Sequence, residues 1–248
     1  MWRVMGACVA GSRHVRQKRR CEDTAAWFVS QDSLFFAVAD GAGSAVFADM
    51  GSALAVGAAL HAGALLCLAE GQIKAGAARR IVRTAVRCAD RRIRRQARSL
   101  GMAAHDLATT LIVVIATPDF LVAAHVGDGA VVAGDGNGTL ATVTAPAKGD
   151  FANETSLLGC NAAAEITVRT RGKAPFRSVA VFTDGLERLA LTMPAGTPHP
   201  GFFNPLFNVL RSLPPWEGDE AIRQLLLSPR VAARSDDDRT LLVATLCD

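Results

Sequence analysis

Residues 34–44 read LFFAVADGAGS, and the rest of the chain can be interpreted around them. The first six residues are apolar and suit a pleated, buried surface, which predicts a core strand. The strand ends at Asp40, and Gly41 and Gly43 allow a tight turn and a close approach of the backbone to a ligand. A carboxylate at the rim of a core strand is costly to desolvate unless a cation or a donor meets it. Alone, this stretch fits either a turn aspartate that bonds its own loop or a metal ligand.

The same arrangement recurs along the chain. Apolar runs at 120–126 and 178–183 lead into Asp128-Gly129 and Asp184-Gly185, and the cluster Asp236-Asp237-Asp238 precedes a last apolar run. In an antiparallel sheet the end of one strand lies beside the start of its neighbour, so these acids can meet at one edge. Crowded carboxylates repel one another unless divalent cations neutralise them. Without His or Cys partners, such a cluster suits Mg²⁺ or Mn²⁺ rather than zinc.

Composition narrows the class of protein. The chain has 248 residues, of which 50% are hydrophobic, enough for one sizeable core, and residues 1–248 are expected to form a single domain. The six cysteines are scattered without paired spacing, which predicts a reduced, cytoplasmic protein. Tyrosine is absent and aromatic residues make up 6% of the chain, so a base-stacking nucleic-acid surface is not expected.

No membrane segment is expected either. The longest apolar candidate, residues 53–69, is rich in Ala and Gly and contains His61. Residues 1–10 are too short for a secretory signal and are interrupted by Arg3.

The pattern of apolar runs and turns predicts an α+β protein. Strands are expected at 2–9, 25–29, 34–39, 107–117, 120–126, 130–133, 139–144, 165–169, 178–183 and 240–246, and helices at 51–70, 74–99, 205–212 and 217–227. The four strands between 107 and 144 are joined by turns too short for a helix, which predicts an antiparallel meander. The helix at 74–99 packs one face and carries arginines on the other, which is either a solvated face or a docking surface for an acidic or phosphorylated partner.

Taken in order, these motifs resemble the metal-dependent type 2C serine/threonine protein phosphatases. The matching stretches are Cys21-Glu22-Asp23, Val38-Ala39-Asp40-Gly41, Val126-Gly127-Asp128-Gly129, Phe182-Thr183-Asp184-Gly185 and residues 235–240. Residues 40–44 and 149–155 resemble a bacterial branch of that family. The resemblance implies a four-layer α-β-β-α sandwich, in which two antiparallel sheets pack face to face and helix pairs flank them.

The resemblance also implies a set of site residues. Asp40 would bridge two Mn²⁺ or Mg²⁺ ions, and the carbonyl of Gly41 would complete one of them. Asp184 and Asp237 would be the remaining direct ligands, with Asp237 preferred to Asp236 because it lies three residues before Thr240. Glu22 would hold the second ion through water. A water activated by the two ions would then attack phosphorus directly, so no cysteine is needed as a nucleophile.

Two departures from the family concern catalysis. Eukaryotic members place a His general acid after the metal-binding Asp-Gly, where this chain has Ala42. Loss of such a group lowers the rate by a factor on the order of 10²–10⁴, which predicts slow turnover or a water donor. The phosphate-binding Arg expected four residues before Glu22 is Lys18, which offers charge but no bidentate fork. The expected catalytic residues are therefore Asp40, Asp184 and Lys18. Arg19 or Arg20 could take the place of Lys18 in binding the phosphate.

Two further positions are open. Asp128 corresponds to a ligand of a third, weaker ion, but its usual partner four residues after Asp184 is Arg188, so this third site would be incomplete. His14 could be a replacement acid or a structural residue near the start of a strand.

The function expected from the resemblance is metal-dependent hydrolysis of phosphoserine and phosphothreonine in proteins. A cognate Ser/Thr kinase and its targets would be the partners, while the oligomeric state is left open. Two alternatives remain: a catalytically weak phosphatase fold that serves as a binding module, and a metal hydrolase of small phosphate esters.

Overall fold

The computed structural model describes residues 1–145, 156–160, 166–172 and 176–247. Its strands, in chain order, are β1 (Trp2–Val9), β2 (Asp23–Ser30), β3 (Ser33–Asp40), β4 (Leu111–Ala116), β5 (Phe120–Val126), β6 (Ala130–Gly134), β7 (Leu140–Thr144), β8 (Thr167–Gly172), β9 (Ser178–Phe182), β10 (Leu191–Thr192), β11 (Thr197–Pro198) and β12 (Arg239–Leu246). The first sheet has the order β1-β12-β9-β6-β7, and the second sheet has the order β2-β3-β4-β5-β8. The pairings within both sheets are antiparallel.

Helices cover the outer face of each sheet. They are α1 (Ser12–Arg16), α2 (Ala48–Glu70), α3 (Ala75–Leu100), α4 (Glu187–Ala190), α5 (Pro200–Ser212), α6 (Pro215–Leu227) and α7 (Pro229–Ala232), with 3₁₀ turns at Ala104–Leu107 and Asp184–Leu186. Helices α2 and α3 pack on the second sheet, and α5 and α6 pack on the first. The predicted four-layer α-β-β-α sandwich is therefore confirmed.

Strand β3 shows why residues 34–39 are apolar without interruption. Phe36 and Val38 face the core between the two sheets, whereas Phe35 and Ala37 face the core beneath α2 and α3. A strand buried on both faces loses the alternation of a half-exposed strand. Full burial of a side chain such as Phe35 contributes about 1.5–3 kcal/mol. Both cores consequently depend on this one strand.

The predicted meander between residues 107 and 144 is wrong. Strands β4 and β5 pair, but the next turn carries the chain into the first sheet, where β6 pairs with β9 and β7. The turn packs directly on β9, since a Cβ added to Gly129 would lie 2.6 Å from the carbonyl oxygen of Phe182. A short turn between apolar runs fits a hairpin and a crossing between stacked sheets equally well, so the sequence pattern could not distinguish them.

Several predicted boundaries also need correction. The polar segment after β1 contains α1, α2 starts at Ala48 rather than 51, and α5 starts at Pro200 rather than 205. The strand predicted at 107–117 shortens to β4, because a 3₁₀ turn ends at Leu107 and Thr109 forms only isolated bridges before β4 begins. The strand predicted at 165–169 is β8, with residue 165 outside the described residues, and the motif at 149–155 lies outside them entirely.

Helix α2 is longer than the apolar segment on which the prediction of no membrane segment was based. By length and composition alone, Ala48–Glu70 could cross a bilayer, although core helices of other proteins pass the same test. One face of α2, including Ala55, Val56 and Ala59, is buried on the second sheet. The apolar segment expected from the sequence, residues 53–69, is shorter than α2 because the helix begins before the apolar run.

Candidate active site

Acidic residues from both sheets meet at one edge of the sandwich. Asp40 ends β3 and Asp128 follows β5 in the second sheet, whereas Asp184 follows β9 and Asp237 precedes β12 in the first. All four line a cavity of about 220 Å³. Glu22 and Gly41 line the same cavity, so the structure brings together every residue that the sequence suggested as a metal ligand.

The backbone of Asp40 is fixed from the neighbouring strand. Its amide donates to the hydroxyl of Thr110 at 2.9 Å. Its carbonyl oxygen accepts from the Thr109 hydroxyl at 2.7 Å and from the Thr110 amide at 2.8 Å. These bonds leave the carboxyl group of Asp40 free to face the cavity.

Asp238 holds the two loops beside the cavity together. Its Oδ1 accepts from the Gly11 amide at 2.7 Å and lies 2.9 Å from Nδ1 of His14, and its Oδ2 accepts from the Glu22 amide at 2.5 Å. The side chain is buried, and this network positions Glu22 and His14 on the cavity wall. The sequence identified the acidic cluster but not this role, because it does not show that Asp238 is buried while Asp236 is exposed and Asp237 is partly exposed.

Helix α1 decides which basic residue reaches the cavity. Arg13 lines it and its guanidinium lies 3.0 Å from Oδ1 of Asp237. Lys18 lies in an exposed turn with a φ of 57° and does not line the cavity. Arg19 forms an ion pair with Glu22. The predicted phosphate-binding position is therefore not brought to the site, because the unpredicted α1 turns the chain and presents Arg13 and His14 instead.

The acidic groups raise one another's pKa values. Burial is the largest cause for Asp40, whose pKa is raised well above its usual range, and the charges of Asp23, Asp184 and Asp128 raise it further. Burial, with the charges of Asp128 and Asp237, raises the pKa of Asp184 to about 6. Such a cluster binds protons or cations readily because full ionisation is costly.

Asp23 is a buried acid that sequence reasoning did not single out. It pairs with Asp40 across β2 and β3, and its Oδ2 accepts from the Thr183 hydroxyl at 2.9 Å. Burial raises its pKa to about 7. Asp23 belongs to the matching stretch Cys21-Glu22-Asp23, but the sequence does not show that its side chain is buried.

The cysteines near the site are poor nucleophiles. Burial raises the pKa of the Cys8 thiol to about 11 and raises that of Cys21 above its ordinary value. The thiolate is the reactive form, so neither residue is activated. All six cysteines are unpaired.

The donor set fits hard divalent cations. Glu22 Oε2, Asp23 Oδ1 and Asp184 Oδ1 are buried without a hydrogen-bond partner. Unpaired buried oxygens are costly, and oxygen ligands without His or Cys suit Mg²⁺ and Mn²⁺. Within the described ranges, no three His, Cys, Asp or Glu side chains already form a closed metal cage.

A family model described as Protein phosphatase 2C matches residues 10–226. The chain belongs to the protein phosphatase 2C family. It is similar to Serine/threonine-protein phosphatase 3 of Escherichia coli K12, with 34% identity over 253 residues that cover 98% of each protein.

Solved structures show the same fold for this phosphatase. The serine/threonine phosphatase Stp1 of Staphylococcus aureus superimposes with a TM-score of 0.70 at 14% identity, covering 100% of this chain and 96% of the other. The Mycobacterium tuberculosis phosphatase PstP/Ppp gives a TM-score of 0.64 at 18% identity, covering 100% and 99%.

Proposed function

We propose that this phosphatase hydrolyses phosphoserine and phosphothreonine in proteins, using two Mn²⁺ or Mg²⁺ ions. The observation that carries the proposal is the convergence of Asp40, Asp184 and Asp237 on one cavity, from strand ends in two different sheets. The serine/threonine specificity rests on the name of the similar Escherichia coli protein.

The residues present divide into ligands and supporting groups. Asp40, the Gly41 carbonyl, Asp184 and Asp237 would hold the ions, and Glu22 would act through water. Asp128 would contribute to a weaker third position, for which the chain has Arg188 where the family has a second acid. When bound, the ions supply a water of lowered pKa as the nucleophile and neutralise charge on the phosphoryl oxygens.

Arg13 is the residue best placed to bind the substrate phosphoryl group. Its guanidinium lines the cavity, is partly exposed and already contacts Asp237. Gly43 lies beside the guanidinium, since a Cβ added there would make an ordinary contact with Arg13 Nη2 at 3.9 Å. An Arg fork can bind two phosphoryl oxygens together, which a Lys cannot do. Arg13 would thus take the role that the sequence suggested for Lys18.

The leaving alkoxide needs a proton, and Ala42 cannot supply one. Among the described residues that line the cavity, His14 is the only histidine. Its Nδ1 faces Asp238, and its Nε2 lies 3.6 Å from Oε2 of Glu22. This arrangement fits a positioning residue for Glu22 better than a donor to a substrate, which leaves a water as the acid.

The cellular setting completes the proposal. We expect a cytoplasmic enzyme whose residues 1–248 form a single domain. It would oppose a cognate Ser/Thr kinase. The scattered, unpaired cysteines support a reducing compartment.

The test is a substrate panel with and without metal. Purified protein is assayed with phosphoserine, phosphothreonine and phosphotyrosine peptides, p-nitrophenyl phosphate and nucleotides, after chelation and after addition of Mn²⁺ or Mg²⁺. The proposal expects metal-dependent turnover with the highest kcat/KM on phosphoserine or phosphothreonine peptides. Preference for nucleotides or p-nitrophenyl phosphate would favour a small-ester hydrolase, and tight peptide binding without turnover would favour a binding module.

Matched variants separate the roles of the two basic residues. Arg13→Ala should raise KM by about tenfold or more, consistent with the loss of a charge-assisted contact. Lys18→Ala should leave KM within about twofold, since it lies outside the cavity. The reverse order would restore Lys18 as the phosphate-binding residue.

A further inference from the structure

A groove of about 880 Å³ runs between α2 and α3 on the outer surface of the helical layer. Small residues of α2, including Ala53, Gly57 and Ala62, line one side together with Leu54 and Leu65. Its lining shares no residue with that of the catalytic cavity. The groove is therefore a surface feature separate from the site of hydrolysis.

The apolar side of the groove is open to solvent. Leu65 is 58% exposed and the adjacent Leu68 is 71% exposed, although α2 buries its opposite face on the second sheet. No part of the described chain covers this stripe. A contiguous exposed apolar surface with a charged rim is typical of a protein interaction site.

The other side of the groove is strongly basic. Four arginines of α3 line it: Arg91, Arg92, Arg95 and Arg98. Neighbouring charges are neutralised within the chain, since Arg94 pairs with Asp90 and Arg80 pairs with Glu70. The four groove arginines have no carboxylate partner among the residues that the structure describes. Their uncompensated charge creates a positive field along one wall.

We propose that this groove docks an amphipathic α-helix of a protein partner, with an apolar stripe flanked by Asp and Glu. The small residues of α2 allow a helix backbone to approach closely, and the leucines contact its apolar stripe. The α3 arginines bind the flanking carboxylates, for which the guanidinium fork is suited. The shape and the chemistry of the two walls thus specify the same ligand.

An anionic membrane is the competing occupant, and the groove fits it less well. The surface is concave, whereas a bilayer requires a flat or protruding face. The residues that line the groove include no Trp or Phe, although interfacial binding sites commonly use these residues as anchors. These observations favour a helix.

Gly57 offers a way to block the groove without disturbing the fold. A Cβ added at this position meets nothing within 4 Å. Gly57→Gln would place a neutral side chain in the groove and replace a helix-weakening residue with a good helix former. Gly76→Gln is the matched control, since Gly76 is also in a helix, also meets nothing within 4 Å and lies outside the groove lining.

The experiment uses a designed peptide as the probe. A fluorescein-labelled helix of about 20 residues carries Leu at i, i+3 and i+4 spacing with flanking Glu, and a twin carries Lys in place of every Glu. Fluorescence anisotropy measures the dissociation constant of each peptide for the full chain, at ionic strengths of about 0.05 M and about 0.3 M. Vesicles containing phosphatidylserine are tested in parallel.

The expected result is selective binding of the Glu peptide that weakens with salt. Gly57→Gln should weaken it by about tenfold or more, while Gly76→Gln should change it less than about twofold. The triple variant Arg91→Glu, Arg95→Glu, Arg98→Glu should prefer the Lys peptide. Turnover of p-nitrophenyl phosphate should be unchanged in all three variants. Absence of Glu-peptide binding, equal effects of the two glycine variants, or groove-dependent binding to vesicles instead of the peptide would overturn the proposal.

Discussion

Replacing Asp184 with Asn should stabilise the metal-free protein and destabilise the metal-bound one. In the absence of cations, the carboxylate of Asp184 is buried and faces Asp128 and Asp237, so its ionised form is disfavoured in the folded state. Asn has the same shape without the charge, and its amide can donate to the carboxyl group of Asp40. With cations bound, the same substitution removes a ligand.

The size of the effect follows from the pKa of Asp184, which rises from 3.8 to about 6. A difference of one pKa unit corresponds to about 1.4 kcal/mol, so the ionised side chain costs the folded protein up to about 3 kcal/mol. The raised pKa means that the folded state binds the proton more tightly. Stability is therefore highest below the unfolded pKa and declines as pH rises through the folded pKa. At a pH of about 8 the wild type bears the whole cost and Asp184→Asn bears none.

Urea unfolding of both proteins at a pH of about 5 and about 8, with chelator and then with Mn²⁺, measures these differences. The metal-free variant should gain stability over wild type mainly at the higher pH, and Mn²⁺ should stabilise the wild type far more than the variant. Asp135→Asn is the control, because Asp135 is a partly exposed turn residue outside the acidic cluster. Hydrogen bonds from the Asn137 and Thr139 amides lower its pKa, so its substitution should not stabilise the metal-free protein. A metal-free Asp184→Asn that is less stable than wild type at both pH values would refute the repulsive cluster.

Three further predictions concern stability and turnover. His125 is buried and its pKa is lowered to about 4, so the free energy of unfolding should fall by about 3 kcal/mol as pH drops from about 6.5 to about 4. In acid unfolding curves, His125→Leu should remove much of this loss. Gly185→Ala should reduce turnover sharply and lower the melting temperature, because its Cβ would lie 1.9 Å from the Asp238 carbonyl oxygen, whereas Gly57→Ala should be neutral or stabilising. Asp128→Asn should retain more metal-dependent turnover than Asp40→Asn, and equal losses would place Asp128 among the essential ligands.

The sequence pattern predicted β3 and the group of acids, and the family resemblance predicted the four layers. Neither predicted the residues that support the acids. The apolar run of β3 and the acids that follow strand ends are local patterns, so they could be read directly. The crossing between sheets after β5 depends on the packing of Gly129 against β9, which is a long-range contact. Arg13, and not Lys18, reaches the cavity because of the five-residue helix α1, which is too short to give a periodic signal in the sequence. Asp238 was indistinguishable from its neighbours because burial, not composition, sets its role.

The pairing of the first and last strands affects when the enzyme can become active. Strand β12 lies between β1 and β9, and Asp237 immediately precedes it. During synthesis, β1 therefore lacks its neighbour and the cavity lacks one wall until residues 237–246 have left the ribosome. A nascent chain would be unable to dephosphorylate a substrate before residues 237–246 had joined the first sheet. A protein that lacked residues 237–246 would be without activity, however much of the second sheet had folded.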